Sequence, residues 1–155
     1  MNRFEKIVSS IILLPGTIVN TASNKGILSV AKFGNGPVFS FTGDAGFWYH
    51  IGEIETAARW GINTVTLVNN NSSGNQSKRG FDRVYGGEQT EEALRLWHFT
   101  EVNFADIAEN MGAVGIRVEK PSDLPGALQK AFEANRPVII DIVTDIDALA
   151  PLAIT

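Results

Sequence analysis

Two short stretches of this sequence carry residues able to do chemistry. Gly43-Asp44-Ala45-Gly46 offers a carboxylate among small residues, and Asn69-Asn70-Asn71-Ser72-Ser73-Gly74 offers side-chain amides and backbone carbonyls. All of these are hard oxygen donors. They suit Mg²⁺, which takes oxygens at about 2.0–2.1 Å in an octahedron, usually one or two from protein and the rest from phosphate and water. Small residues at 43, 45 and 46 let backbone N–H groups approach a phosphate closely at the start of a helix, where the dipole favours anions. The chemistry available is therefore magnesium–diphosphate binding. Each stretch also has an ordinary reading, since an aspartate at such a junction can cap a helix and an asparagine run can be a plain loop. What favours a site is their joint placement at the ends of two consecutive strands linked by one helix.

The elements that must position them can be read from periodicity. Pro37 to Thr42 is a β-rich apolar run ending at Gly43, which predicts a buried strand. Ile51, Ile54, Ala57 and Ala58 recur at helical spacing up to Gly61, a C-terminal stop. Thr64 to Val68 predicts a second strand, closed by the asparagines. From Asn75 to Gly87 the chain is polar and without period, a loop able to close over the site. Helical spacing returns at Phe104, Ile107, Ala108 and Met111, and Ala113 to Val118 predicts a third strand. Ser122 is expected to cap a helix with Leu124, Ala127, Leu128, Ala131 and Phe132 on its apolar face. Pro137 to Val143 predicts a fourth strand. Apolar strands alternating with helices imply an α/β fold, a doubly wound parallel sheet with helices on both faces. In such sheets ligands bind beyond the carboxyl ends of the strands, where both stretches fall.

The chain has 155 residues, 44% of them hydrophobic and 19% charged, enough for one domain with a real core. A net charge of −4 leaves no broad basic surface, so nucleic acid is not an expected partner. Without cysteine there is no disulfide, thiolate or zinc–cysteine chemistry, which fits a reducing cytoplasm. The apolar run Ile7 to Val19 follows Arg3 and Lys6, but Glu5 and Pro15-Gly16 argue against a secretion signal. No stretch reaches the ~20 apolar residues of a membrane helix. Residues 37–147 form the expected domain, 148–155 a tail, and 1–36 a segment with little pattern beyond a possible helix from Ile27 to Phe33.

Gly43-Asp44-Ala45-Gly46, followed a few tens of residues later by Asn70-Asn71, resembles the thiamine-diphosphate motif, Gly-Asp-Gly and then Asn-Asn. Gly46-Phe47, Glu53 and Thr56-Ala57-Ala58 match its flanks. From about Gly36 to Asp147 the chain is similar to the C-terminal cofactor domain of the acetolactate synthase, benzoylformate decarboxylase and pyruvate decarboxylase superfamily. The resemblance implies thiamine diphosphate and Mg²⁺ as cofactors. It implies Asp44 and Asn71 as side-chain metal ligands and the Ser73 carbonyl as a third, with Asn70 the alternative because the triple asparagine leaves the register open. Gly43, Asp44, Ala45, Gly46 and Asn71 would meet the diphosphate. Ala45 stands where the motif has its second glycine.

In the resembled enzymes the glutamate that activates the cofactor lies in a separate pyrimidine-binding domain, so no catalytic residue is assigned here. Nor does Pro15 to Gly26 align with the segment that lines the cofactor rings. The implied role is the diphosphate-binding part of a 2-oxo acid decarboxylase or carboligase, acting on a small-molecule 2-oxo acid. It would be completed by a pyrimidine-binding domain or partner subunit in a homo- or hetero-oligomer. The alternative is an inactive fragment or assembly module that keeps the fold. An unrelated nucleotide-binding domain is disfavoured by the absence of both phosphate-loop and dinucleotide fingerprints. Elsewhere, His50 reads as a surface or capping residue and His98 as a packing one. Glu53 and Glu55 read as helix N-terminal charges, and Lys78 and Arg79 as a solvated loop that could also meet an anion.

Overall fold

In the computed structural model, residues 18–20, 38–88 and 90–148 are described. The apolar run at 7–19, apart from its last two residues, and the expected helix at 27–33 lie outside them. So does the tail beyond Ala148. The chain forms a parallel sheet of five strands in the order β1-β2-β3-β5-β4. They are β1 (Ile18–Asn20), β2 (Val38–Gly43), β3 (Thr64–Asn70), β4 (Val114–Val118) and β5 (Val138–Val143). Between β2 and β3 lie α1 (Asp44–Trp48) and α2 (Glu53–Trp60), the latter ended by Gly61 at φ +62°. Helices α3 (Asn75–Val84), α4 (Glu91–Trp97) and α5 (Phe104–Asn110) lead to β4, and α6 (Leu124–Glu133) returns the chain to β5.

Alternation along the strands separates two cores. On one face Phe39, Val65, Leu67, Val138, Ile140 and Ile142 pack against Leu124, Ala127, Leu128 and Ala131 of α6. On the other, Val68 and Ile139 pack with Phe47, Ile54, Phe104, Ala108 and Ala113. Phe47 meets Phe104 edge-on, with ring centroids 5.2 Å apart. Helices thus cover both faces, as the apolar strands require. The chain advances from β2 through β3 to β4 on one face and returns from β4 to β5 by the opposite face, so its winding direction reverses at β4.

Four expectations change. The polar stretch after the asparagines is not a loop: it contains α3, and Thr90 starts α4 by accepting the Ala93 amide at 3.2 Å. Strand β3 runs two residues further, through Asn69 and Asn70. Strand β1 adds a fifth strand to the four expected. Ser122 does not cap a helix; it lies in a 3₁₀ turn, Pro121–Asp123, and its hydroxyl donates to Asp123 Oδ1 at 3.1 Å. Pro125 near the start of α6 suits a helix that begins without a side-chain cap.

Candidate functional site

Strands β2 and β3 are paired in register, with Gly43 opposite Asn69. Both loops therefore leave the sheet at the same level and on the same edge. Asp44 opens α1 as its first helical residue, only 3% exposed, while Gly43 is the cap residue and makes no side-chain cap bond. The helix-cap reading of Asp44 is thus not what the structure contains. Its carboxylate instead spans the two loops: Oδ1 accepts the Ala45 amide at 2.7 Å, and Oδ2 accepts the Ser73 amide at 2.9 Å.

Burial pushes the Asp44 carboxyl above the ordinary carboxylate range, and the amides of Ala45, Ser73 and Ser72 pull the other way. Among the described residues no lysine, arginine or histidine pairs with it. A buried carboxylate without a cation is costly, and a bound divalent ion would supply the missing charge. No group of three or more His, Cys, Asp or Glu side chains among the described residues could hold a metal. The donors at hand are instead one carboxylate, an amide and carbonyls, a set that suits Mg²⁺ shared with phosphate. A Cβ placed on Gly43 would meet nothing within 4 Å, so the space beside the loop is open, whereas one on Gly46 would lie 3.0 Å from Thr42 Oγ1.

The asparagines are used differently. Asn69 is half-buried and closes the strand pairing opposite Gly43. Asn70 is buried and fully engaged. Its Nδ2 donates to the Val102 carbonyl and to Asp141 Oδ1, each at 2.9 Å, and its Oδ1 accepts the Ser72 amide at 3.2 Å. Asn71 is half-exposed, and its Oδ1 accepts the Ser73 hydroxyl at 2.9 Å. Ser72 has φ +54°, a left-handed turn that any residue other than glycine or asparagine adopts at a cost. The loop is braced from outside by residues 97–99: Phe99 N donates to Ser72 O and Gly74 N donates to Trp97 O, both at 2.7 Å.

Of the other polar residues, Glu53 and Glu55 do stand in the first turn of α2, and Glu55 pairs with Arg59 at 2.9 Å. His50 is half-buried in the turn after α1. The His98 side chain is exposed, while its backbone bridges to Ser73. Lys78 is not a free cation, because it pairs with Asp147 and lies over the Trp97 ring at 5.8 Å. Arg79 lies on α3, and its side chain is outside what is described.

Sequence reasoning missed Asp141 and Arg117. Asp141 is wholly buried in β5, and its Oδ2 accepts from Phe104 N at 2.9 Å and Arg117 Nη1 at 2.7 Å. A lone carboxylate inside an otherwise apolar strand was the available signal.

Comparison with known proteins gives the family and the fold. The family described as "Thiamine pyrophosphate enzyme, C-terminal TPP binding domain" matches residues 21–142. The acetolactate synthase large subunit of Haemophilus influenzae is 33% identical over 111 residues, which are 71% of this chain and 19% of that protein. A 2-hydroxyacyl-CoA lyase of Oryza sativa is 29% identical over 109 residues, 70% of this chain and 19% of that protein. The chain thus spans about a fifth of the length of these relatives. In fold it is similar to a thiamine diphosphate-dependent 4-hydroxybenzoylformate decarboxylase of Rhodococcus jostii, with a TM-score of 0.68 and 24% identity over 79% of this chain and 22% of that one. With its asparagine loop, its paired strand ends and a matched span covering most of its length, the chain belongs to the thiamine pyrophosphate enzyme family, as a C-terminal thiamine-pyrophosphate-binding domain of the acetolactate synthase-like kind.

Proposed function

We propose that this domain holds the diphosphate of thiamine diphosphate through Mg²⁺ bound by Asp44, Asn71 and the Ser73 carbonyl, with Gly43, Ala45 and Gly46 beside the phosphates. The observation that carries this is the buried Asp44 carboxylate, which faces a second loop of oxygen donors and has no cationic side-chain partner among the described residues. Asn71 is favoured over Asn70 as ligand because both ends of the Asn70 amide are already bonded within the protein. The Ala45 amide is committed to Asp44 Oδ1, so its part is to orient the carboxylate as much as to approach a phosphate.

Bound thiamine diphosphate supplies the nucleophilic carbon and electron sink of 2-oxo acid chemistry. This chain's residues bind and orient. The in-register strand ends fix the spacing of the two loops, and the Asp44 carboxylate would offset part of the ion's charge while staying tied to both. The whole protein would be a decarboxylase or carboligase for a small 2-oxo acid, completed by a pyrimidine-binding domain or partner subunit in an oligomer and working in the cytoplasm. No helix among the described residues is long and apolar enough to cross a membrane.

Calorimetric titration with thiamine diphosphate and with pyrophosphate, each with and without Mg²⁺, tests the reading, with thiamine as control. Magnesium-dependent binding of both diphosphates, and none of thiamine, is expected. If neither diphosphate bound, the assembly-module reading would replace it.

A further inference from the structure

Asp141 has no place in the site just described, yet it is wholly buried on β5, an interior strand of the sheet. Burying a carboxylate costs several kcal/mol even when it is paired, and an apolar side chain of similar volume would fill the same space without that cost. Its partners indicate what the charge is for. Arg117 of β4 donates Nη1 to Oδ2 at 2.7 Å, and the Phe104 amide at the start of α5 donates to the same oxygen at 2.9 Å. The other oxygen, Oδ1, accepts Asn70 Nδ2 at 2.9 Å. Asn70 then passes the constraint on, because its Oδ1 accepts the Ser72 amide at 3.2 Å and so supports the left-handed turn at Ser72. That turn aims the Ser73 amide at Asp44 Oδ2, 2.9 Å away.

Packing alone does not set the position of this loop. A solvent-open cleft of about 360 Å³ borders it, lined by Asn70, Asn71, Ser72, Arg117, Val143 and Thr144 among others. With that side open, the loop takes its shape from hydrogen bonds: the backbone bonds from residues 97–99 and the side-chain bonds of Asn70 and Asp44. The geometry points to Asp141 as a positioning residue: fixed by Arg117, it holds Asn70 and thereby sets the Asn71–Ser73 loop against Asp44. This rests on the magnesium–diphosphate reading, since that loop is where the ion's donors lie. Outer partners of metal ligands typically change affinity by about 10- to 100-fold when removed.

The test uses the full chain and two variants. Asp141→Asn keeps the shape and removes the charge. Because it leaves Arg117 without its buried partner and could unfold the domain, Arg117→Gln/Asp141→Asn removes both charges together. Mg²⁺-dependent pyrophosphate affinity is measured by calorimetry, and the Ser73 amide is followed by nuclear magnetic resonance and hydrogen exchange without ligand. Expected are a loss of affinity of about 10- to 100-fold and a shifted, less protected Ser73 amide, while amides of α6 keep their protection. Unchanged affinity with an unchanged Ser73 amide would overturn the inference, as would failure of the double variant to fold, which would make the network a core element only. If the unaltered chain bound no magnesium–diphosphate, the site reading itself would fall, a result distinct from loss in the variants alone.

Discussion

Asp44 Oδ2 and the Ser73 amide lie 2.9 Å apart across 29 residues of sequence, and this one bond joins the loop after β2 to the loop after β3. Both partners are buried, so neither can exchange the contact for water without cost. The carboxylate is thus a fastener between two loops as well as a candidate ligand, and the two roles can be separated by substitution.

Asp44→Ala removes the acceptor of the Ser73 and Ala45 amides together with the ion's charged ligand. Magnesium-dependent diphosphate binding should fall below detection in calorimetry. The fold should survive with a loss of about 1–3 kcal/mol in denaturant titration, the cost of a buried donor left without its partner. Unchanged diphosphate affinity would dismiss Asp44 as a ligand.

The asparagines should divide by readout. Asn71→Ala is expected to weaken binding more than Asn70→Ala, since Asn71 stands half-exposed and Asn70 is enclosed. Asn70→Ala should cost more stability, about 1.5–3 kcal/mol, because it takes a hydrogen bond from the buried Asp141 carboxylate. Should Asn70→Ala prove the stronger of the two in binding, the ligand register moves back by one residue.

pH dependence follows from the raised Asp44 carboxyl, whose cause is burial. With a higher pKa folded than unfolded, the folded chain keeps the proton longer. Stability from this group is therefore fully present below the unfolded value and is lost as pH rises through the folded one. Without Mg²⁺, the melting temperature of Asp44→Asn should gain on the unaltered chain as pH rises from about 4 towards neutrality. Ion binding needs the ionised carboxylate, so magnesium affinity should fall as pH drops through the same window. Parallel melting curves for the two proteins at every pH would contradict this.

Gly115 makes a prediction remote from the site. A Cβ there would lie 2.0 Å from the Ala105 carbonyl oxygen, which is backbone and cannot swing aside. Gly115→Ala should push α5 off β4 and destabilise the domain by about 1–3 kcal/mol or more, as overpacked cores do. A thermal melt at the native midpoint would refute the close approach.

Strand β1, three residues in a segment of little pattern, was not legible in the sequence. The other four strands were, because they are short, apolar runs set off by glycine or proline, as at Val38–Gly43 and Val138–Val143. Helix α3 was illegible for the opposite reason. Asn75 to Val84 carries Gly80 in its middle and too few apolar residues to declare a period. The start of α4 went unread, although Thr90 precedes Glu91-Glu92-Ala93 and forms its cap bond. At the site, Asp44 and the asparagine loop announce themselves by residue type. The division of labour between Asn70 and Asn71 does not, because it depends on Asp141, which is distant in sequence and adjacent only once β3 and β5 pair.

The pairing of Gly43 with Asn69 has a consequence for how such a site can change over time. Distance between the two loops is set by neighbouring strands, not by the chain that runs from one to the other. The stretch through α2 to Ile62 could lengthen or shorten on the outside of the molecule while the gap across the loops stayed the same. Counting residues between aspartate and asparagine therefore measures the detour, and only the ladder between β2 and β3 measures the site.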